Sequence, residues 1–84
     1  KISQMVSVGH NVRIEKNVVV AAMAHFSGSC CIGRDSFIGA NCTLRDYVTV
    51  GENCKIGHGA VISSDISDNA IVQAVPADIL EILR

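Results

Sequence analysis

With 84 residues, seven Lys and Arg set against eight Asp and Glu, the chain is close to neutral, which leaves no electrostatic footprint for nucleic acid or an anionic membrane surface. Apolar residues make up 49% of it, yet no apolar run approaches the length that spans a membrane. One continuous repeat with no linker makes it a single structural unit, and its few aromatics, Phe26, Phe37 and Tyr47, suit a narrow core of Val, Ile, Ala and Cys.

From the N-terminus onward, a branched or large apolar residue stands at every sixth position: Val8, Ile14, Val20, Phe26, Ile32, Ile38, Leu44, Val50, Ile56 and Ile62. Two residues before each anchor lies a small or β-branched one, Val6, Val12, Val18, Ala24, Cys30, Ser36, Cys42, Val48, Cys54 and Ala60. Alternate strand residues share a face, so both columns point inward. Directly after the anchors come Gly9, Ala21, Ser27, Gly33, Gly39, Gly51, Gly57 and Ser63, small residues where the backbone must turn, with Glu15 and Arg45 as bulky exceptions. Three residues after the anchors stand Asn11, Asn17, Asp35, Asn41, Asn53, Gly59 and Asp65, types that tolerate a left-handed backbone, whereas Met23, Ser29 and Tyr47 depart from the pattern. Four columns obeying one period are the mark of an all-β fold, a parallel β-helix of hexapeptide repeats.

If three hexads make one triangular coil, residues eighteen apart lie above one another. Val8, Phe26, Leu44 and Ile62 then stack on one side, Ile14, Ile32 and Val50 on the second, and Val20, Ile38 and Ile56 on the third. Coils about 4.8 Å apart bury their apolar edges on one another, giving a prism a little over three coils high. After Ile62 the repeat weakens through Asp65, Ser67, Asp68 and Asn69, where the chain is expected to leave the prism. Residues 70–75 are read as a last strand, so that the β-helix covers 1–75. Pro76 opens a short capping helix over 76–84, with Ile79, Leu80, Ile82 and Leu83 as its apolar stripe.

Lys1 is already in register, with no initiator Met and no signal-peptide pattern, and the expectation is that the chain is the C-terminal part of something longer. Cys30, Cys42 and Cys54 fall at inward positions on three different sides and are read as small hydrophobes, while Cys31 alone points outward. Without any C-x-x-C pair, neither zinc nor a redox couple is indicated, and a cytoplasmic location is expected.

The runs Phe26-Ser27-Gly28-Ser29-Cys30-Cys31-Ile32-Gly33, Phe37-Ile38-Gly39-Ala40-Asn41, Val50-Gly51-Glu52-Asn53 through Gly57-His58-Gly59-Ala60-Val61-Ile62, and Val75-Pro76-Ala77 resemble the left-handed β-helix acyltransferases. Within them the chain looks most like the sugar acetyltransferases typified by the sialic acid O-acetyltransferase family. The resemblance implies a left-handed winding, a preceding domain that binds the sugar nucleotide, and a homotrimer with acetyl-CoA in the groove between adjacent prisms. Hexads are shared by every branch of the superfamily, so they specify fold well and substrate poorly.

Acetyl transfer from a thioester needs a base near neutral pKa to take the proton of the attacking hydroxyl or amine, which points to histidine. His10 is the candidate, because it stands eighteen residues before Gly28, which matches the family's spacing between its catalytic histidine and a Ser-Gly pair. Gly28 lies one coil further on and leaves the space beside the imidazole without a side chain, and Asp46 follows a coil later. Family members usually carry an acidic residue straight after the histidine. Here it is Asn11, whose amide oxygen can hold one tautomer but stabilises an imidazolium less than a carboxylate does. His25 is expected to point outward, and His58 sits in a corner where relatives have a small residue. Gly28, Gly39, Ala40, Gly57, Gly59 and Ala60 are the positions where a missing or small side chain is expected to leave backbone groups open to the cofactor. Relatives often place cations near Ser64 and Asp78 for the phosphates; Lys55 and Arg84 are the available substitutes.

Two other readings stay open. A prism of this kind also serves as a non-catalytic trimerisation scaffold, which Asn11 and the missing phosphate-binding cations favour. A zinc-dependent γ-type carbonic anhydrase uses three histidines, but His10, His25 and His58 fall in three different columns, so one prism does not gather them and no metal site is expected.

Overall fold

In the computed structural model, residues 1–77 are described. Eleven two-residue strands follow one another: β1 (Ser7–Val8), β2 (Arg13–Ile14), β3 (Val19–Val20), β4 (His25–Phe26), β5 (Cys31–Ile32), β6 (Phe37–Ile38), β7 (Thr43–Leu44), β8 (Thr49–Val50), β9 (Lys55–Ile56), β10 (Val61–Ile62) and β11 (Ile71–Val72). They stack into three parallel sheets, β1-β4-β7-β10, β2-β5-β8 and β3-β6-β9-β11, so each sheet takes every third strand up to β10, and β11 joins β9. Val8 pairs with Phe26, Ile14 with Ile32 and Val20 with Ile38, which is the eighteen-residue register read from the hexads. Anchors of the middle coils are sealed: Phe26, Ile32, Ile38, Leu44 and Ile56 are all 0% exposed. Val8, on the first coil, is 49% exposed because nothing in the described chain lies above it.

Corners show why the columns hold. Left-handed φ angles recur at Met5, Asn11, Asn17, Met23, Ser29, Asp35, Asn41, Tyr47, Asn53 and Gly59, one per corner. Met23, Ser29 and Tyr47 therefore take the same conformation as the Asn residues, since the coil geometry overrides their preference. Some of the glycines just after the anchors meet a further constraint besides the turn. A Cβ on Gly33 would stand 2.5 Å from the Gly51 carbonyl and one on Gly39 would stand 2.7 Å from the His58 nitrogen, so the next coil's backbone fills the space.

Beyond Ile62 the chain does not leave the prism, contrary to expectation. Ile66 bridges to Val50 and Val72 pairs with Ile56, each sixteen residues on. One corner is thus two residues short, which is why Asp65 does not adopt the left-handed angle expected of it and Asn69 does. Ile2 also bridges to Val20 at the start. With Ile2, Ile66 and Val72 in the columns, the stack rises to about four coils. The last strand is confined to Ile71–Val72. Pro76 and Ala77 have no regular structure, and the rest of the proposed helix lies outside the described residues.

The inward cysteines do more than fill space. Cys30 and Cys42 donate their S–H to the carbonyls of Arg45 and Gly57, both at 3.1 Å, while Ser36 donates its hydroxyl to Gly51 at 2.9 Å. All three reach the carbonyl fifteen residues on, and Cys54 reaches Ser67, thirteen on, across the shortened corner. The column is therefore a ladder of buried donors satisfying corner carbonyls. All four cysteines are free thiols.

Candidate active site

His10, Gly28 and Asp46 occupy one corner on three successive coils, as the eighteen-residue spacing requires. The imidazole of His10 lies against Gly28: a Cβ there would meet Nε2 at 2.8 Å and Cε1 at 3.0 Å. The space that Gly28 leaves is thus taken up by the His10 ring itself. From the other side, Asp46 accepts the Gly28 N–H on Oδ1 at 3.1 Å. Base, backbone amide and carboxylate therefore converge on one glycine at an exposed corner.

Asn11 is next to the ring, but it is the amide nitrogen, Nδ2, that lies 3.3 Å from His10 Nδ1. With Nδ2 as donor, Nδ1 accepts and the ring proton sits on Nε2; rotating the amide by half a turn offers Oδ1 to an Nδ1–H and leaves Nε2 free to take a proton. Base catalysis at Nε2 needs the second arrangement. His25 is exposed on β4, in register with Ser7 and Thr43, on the outer face of its sheet.

His58 stands at a third corner and is tied in place. Its Nδ1 accepts the Ala40 N–H at 2.7 Å, and its ring meets Phe37 edge-on with centroids 6.1 Å apart. Sequence reasoning missed this pairing, although the signal was present: residues 40 and 58 are eighteen apart, and Ala40 leaves room for a side chain rising from the coil below.

The structure engages the amides that were expected to stand open. Gly28 donates to Asp46, Gly39 to Ile56, Ala40 to His58, Gly57 to Val72 and Gly59 to Ala40, and Ala60 is buried with its carbonyl accepting from Thr43. What Gly59 and Ala60 do line, with Val61, Val72, Gln73, Ala74 and Val75, is a cleft of about 290 Å³ beside the last coils. Its small and apolar walls suit a flexible aliphatic arm. Lys55 is exposed on β9 in register with Phe37 and Ile71; Asp78 and Arg84 lie outside the described residues. Among the described residues no three His, Cys, Asp or Glu side chains come together as a metal site, and no helix is long and apolar enough to cross a membrane.

Residues 29–64 match the family model described as bacterial transferase hexapeptide (six repeats). The chain is 29% identical to the galactoside O-acetyltransferase of Escherichia coli K12, over 89% of this chain and 43% of that protein. It is 32% identical to the UDP-3-O-acylglucosamine N-acyltransferase of Caulobacter sp. K31, over 92% of this chain and 23% of that protein. In fold it is similar to PerB from Caulobacter crescentus, solved in complex with CoA and GDP-perosamine, with a TM-score of 0.60 and 20% identity over 95% of this chain and 53% of PerB. The chain spans less than half the length of both curated relatives. Its hand agrees with the left-handed winding expected. This chain therefore carries the hexapeptide repeat of the bacterial transferases on a left-handed β-helix, with acetyltransferases and acyltransferases as its homologues.

Proposed function

We propose that the chain is the β-helical part of an acetyl-CoA-dependent acetyltransferase acting on a hydroxyl or amino group of a sugar or sugar nucleotide, in the manner of the sialic acid O-acetyltransferase family. The observation that carries this reading is the His10 imidazole held against Gly28, with an amide N–H that already accommodates a carboxylate oxygen on the far side. His10 takes the proton of the attacking group, and Asn11 sets its tautomer through Nδ1. Acetyl-CoA supplies the activated acyl group, with Gly59 and Ala60 at the cleft and Gly28, Gly39, Ala40 and Gly57 as the further small positions assigned to its binding. A cytoplasmic homotrimer, with the cofactor between neighbouring prisms, would cover the exposed apolar side chains of the outer faces, among them Val19, Val61 and Ile71.

The test is thiol release from acetyl-CoA with amino and hydroxy sugars, together with calorimetry of CoA binding, on the protein including any preceding domain. His10→Ala is expected to lower turnover about a hundredfold or more, the usual contribution of a general base. An unchanged rate removes His10 from the mechanism, and no binding and no thiol release removes the reading.

One observation favours the non-catalytic scaffold instead. Asn11 turns its amide nitrogen to His10 Nδ1, the arrangement that leaves Nε2 already protonated. Normal oligomerisation with no CoA binding would decide for the scaffold.

A further inference from the structure

In the candidate cofactor region His58 has a held orientation and, among the described residues, a polar atom without a partner. Its Nδ1 accepts the Ala40 N–H at 2.7 Å, a short bond for a nitrogen donor, and Phe37 meets the ring edge-on at an interplanar angle of 81°. Two restraints on one imidazole leave it little freedom about its side-chain torsions. A neutral imidazole whose Nδ1 accepts a hydrogen bond carries its proton on Nε2. Among the described residues Nε2 has no partner, and His58 is exposed. The result is a single N–H donor, aimed by the fold, one residue along the chain from the cleft that Gly59 and Ala60 line.

The chemistry of that donor limits what it would recognise. A second proton, on Nδ1, would point at the Ala40 N–H and break the bond that orients the ring, so the site offers a neutral donor and not a cation. Neutral donors suit neutral acceptors, an amide or thioester carbonyl, better than a phosphate, which draws charged partners. The pantetheine arm of CoA has two amide carbonyls on an aliphatic chain, and the cleft beside His58 is small-walled and largely apolar.

We propose that His58 is a ligand-positioning residue, holding a pantetheine carbonyl through Nε2–H while Ala40 fixes its tautomer. The inference rests on the CoA reading above. It departs from that reading in assigning the contact to a side chain where the sequence suggested only backbone groups.

The variant that separates this role from a purely structural one is His58→Asn. Asn Oδ1 stands the same number of bonds from the backbone as His Nδ1, so it keeps the Ala40 bond while nothing replaces Nε2–H. Expected is a folded protein of unchanged melting temperature whose CoA affinity falls about tenfold, the loss of one hydrogen bond in a formed site, with binding of adenosine 3′,5′-bisphosphate, the nucleotide half of CoA, unchanged. Unaltered CoA affinity would overturn the proposal, and so would an equal loss for the bisphosphate, which would place the donor on a phosphate. Imidazole nitrogen NMR of the unmodified protein gives a readout that needs no ligand: a protonated Nδ1 and a bare Nε2 in neutral His58 would also overturn it. Should the unmodified protein not bind CoA at all while His58 shows the Nε2–H tautomer, the CoA reading fails and takes the pantetheine assignment with it.

Discussion

The imidazole of His10 rests on the face of Gly28 one coil further on, Nε2 standing 2.8 Å from where a Cβ would be. Gly28→Ala therefore has to push the ring aside, and only a flexible, exposed side chain has to move. The melting temperature should barely change while acetyl transfer falls about tenfold or more, as expected when a base is displaced by an ångström. Steady-state rates beside thermal melts check this, and a rate loss matched by a stability loss would count against it.

Gly33 faces a harder obstacle. A Cβ there would lie 2.5 Å from the backbone carbon and oxygen of Gly51, which belong to the coil and cannot rotate away. Gly33→Ala is expected to cost about 1–3 kcal/mol through overpacking. Gly59 has φ +75 and open space around it, so Gly59→Ala carries the left-handed penalty alone, about 1 kcal/mol. Urea denaturation should rank Gly33→Ala as the more damaging of the two.

Ser36, itself buried, donates to the half-buried Gly51 carbonyl at 2.9 Å and accepts the buried Cys54 N–H at 3.0 Å. Ser36→Ala removes both bonds and strands the buried Cys54 N–H, at a cost of about 1–3 kcal/mol. Ser36→Cys should recover part of that, because Cys30 and Cys42 make the equivalent bond from the same column. Chemical denaturation of the pair measures the difference.

Cys30 is held above its ordinary thiol value of 9.0, chiefly because burial disfavours the thiolate. The unfolded chain then loses this proton before the folded one does. The associated stability is whole below about pH 9 and is lost as pH rises through the folded value. Cys30→Ala, a residue the column already tolerates at Ala24 and Ala60, should flatten the fall in stability above that pH. Denaturation midpoints measured from neutral to alkaline pH test the sign. Alkylation at neutral pH should reach the half-exposed Cys31 long before buried Cys30.

How far the sequence reached depended on whether a contact repeats. Val8, Phe26, Leu44 and Ile62 share a column in the structure as they do in the hexads, because a six-residue period with three sides leaves one way to superpose the coils. The same arithmetic put His10, Gly28 and Asp46 at one corner. It could not foresee the shortened corner after Ile62, since only the packing of Ile66 on Val50 shows where the count resumes.

By itself, then, the sequence determined the period, the inward columns and which residues stack, because burying alternate apolar side chains on the coil above allows no other register. Only the tertiary structure decided which polar atoms meet: the Ala40 amide on His58 Nδ1, the Gly28 amide on Asp46, and the amide nitrogen of Asn11 on His10. Those outcomes turn on side-chain torsions and on a few tenths of an ångström at each corner, and a period carries neither.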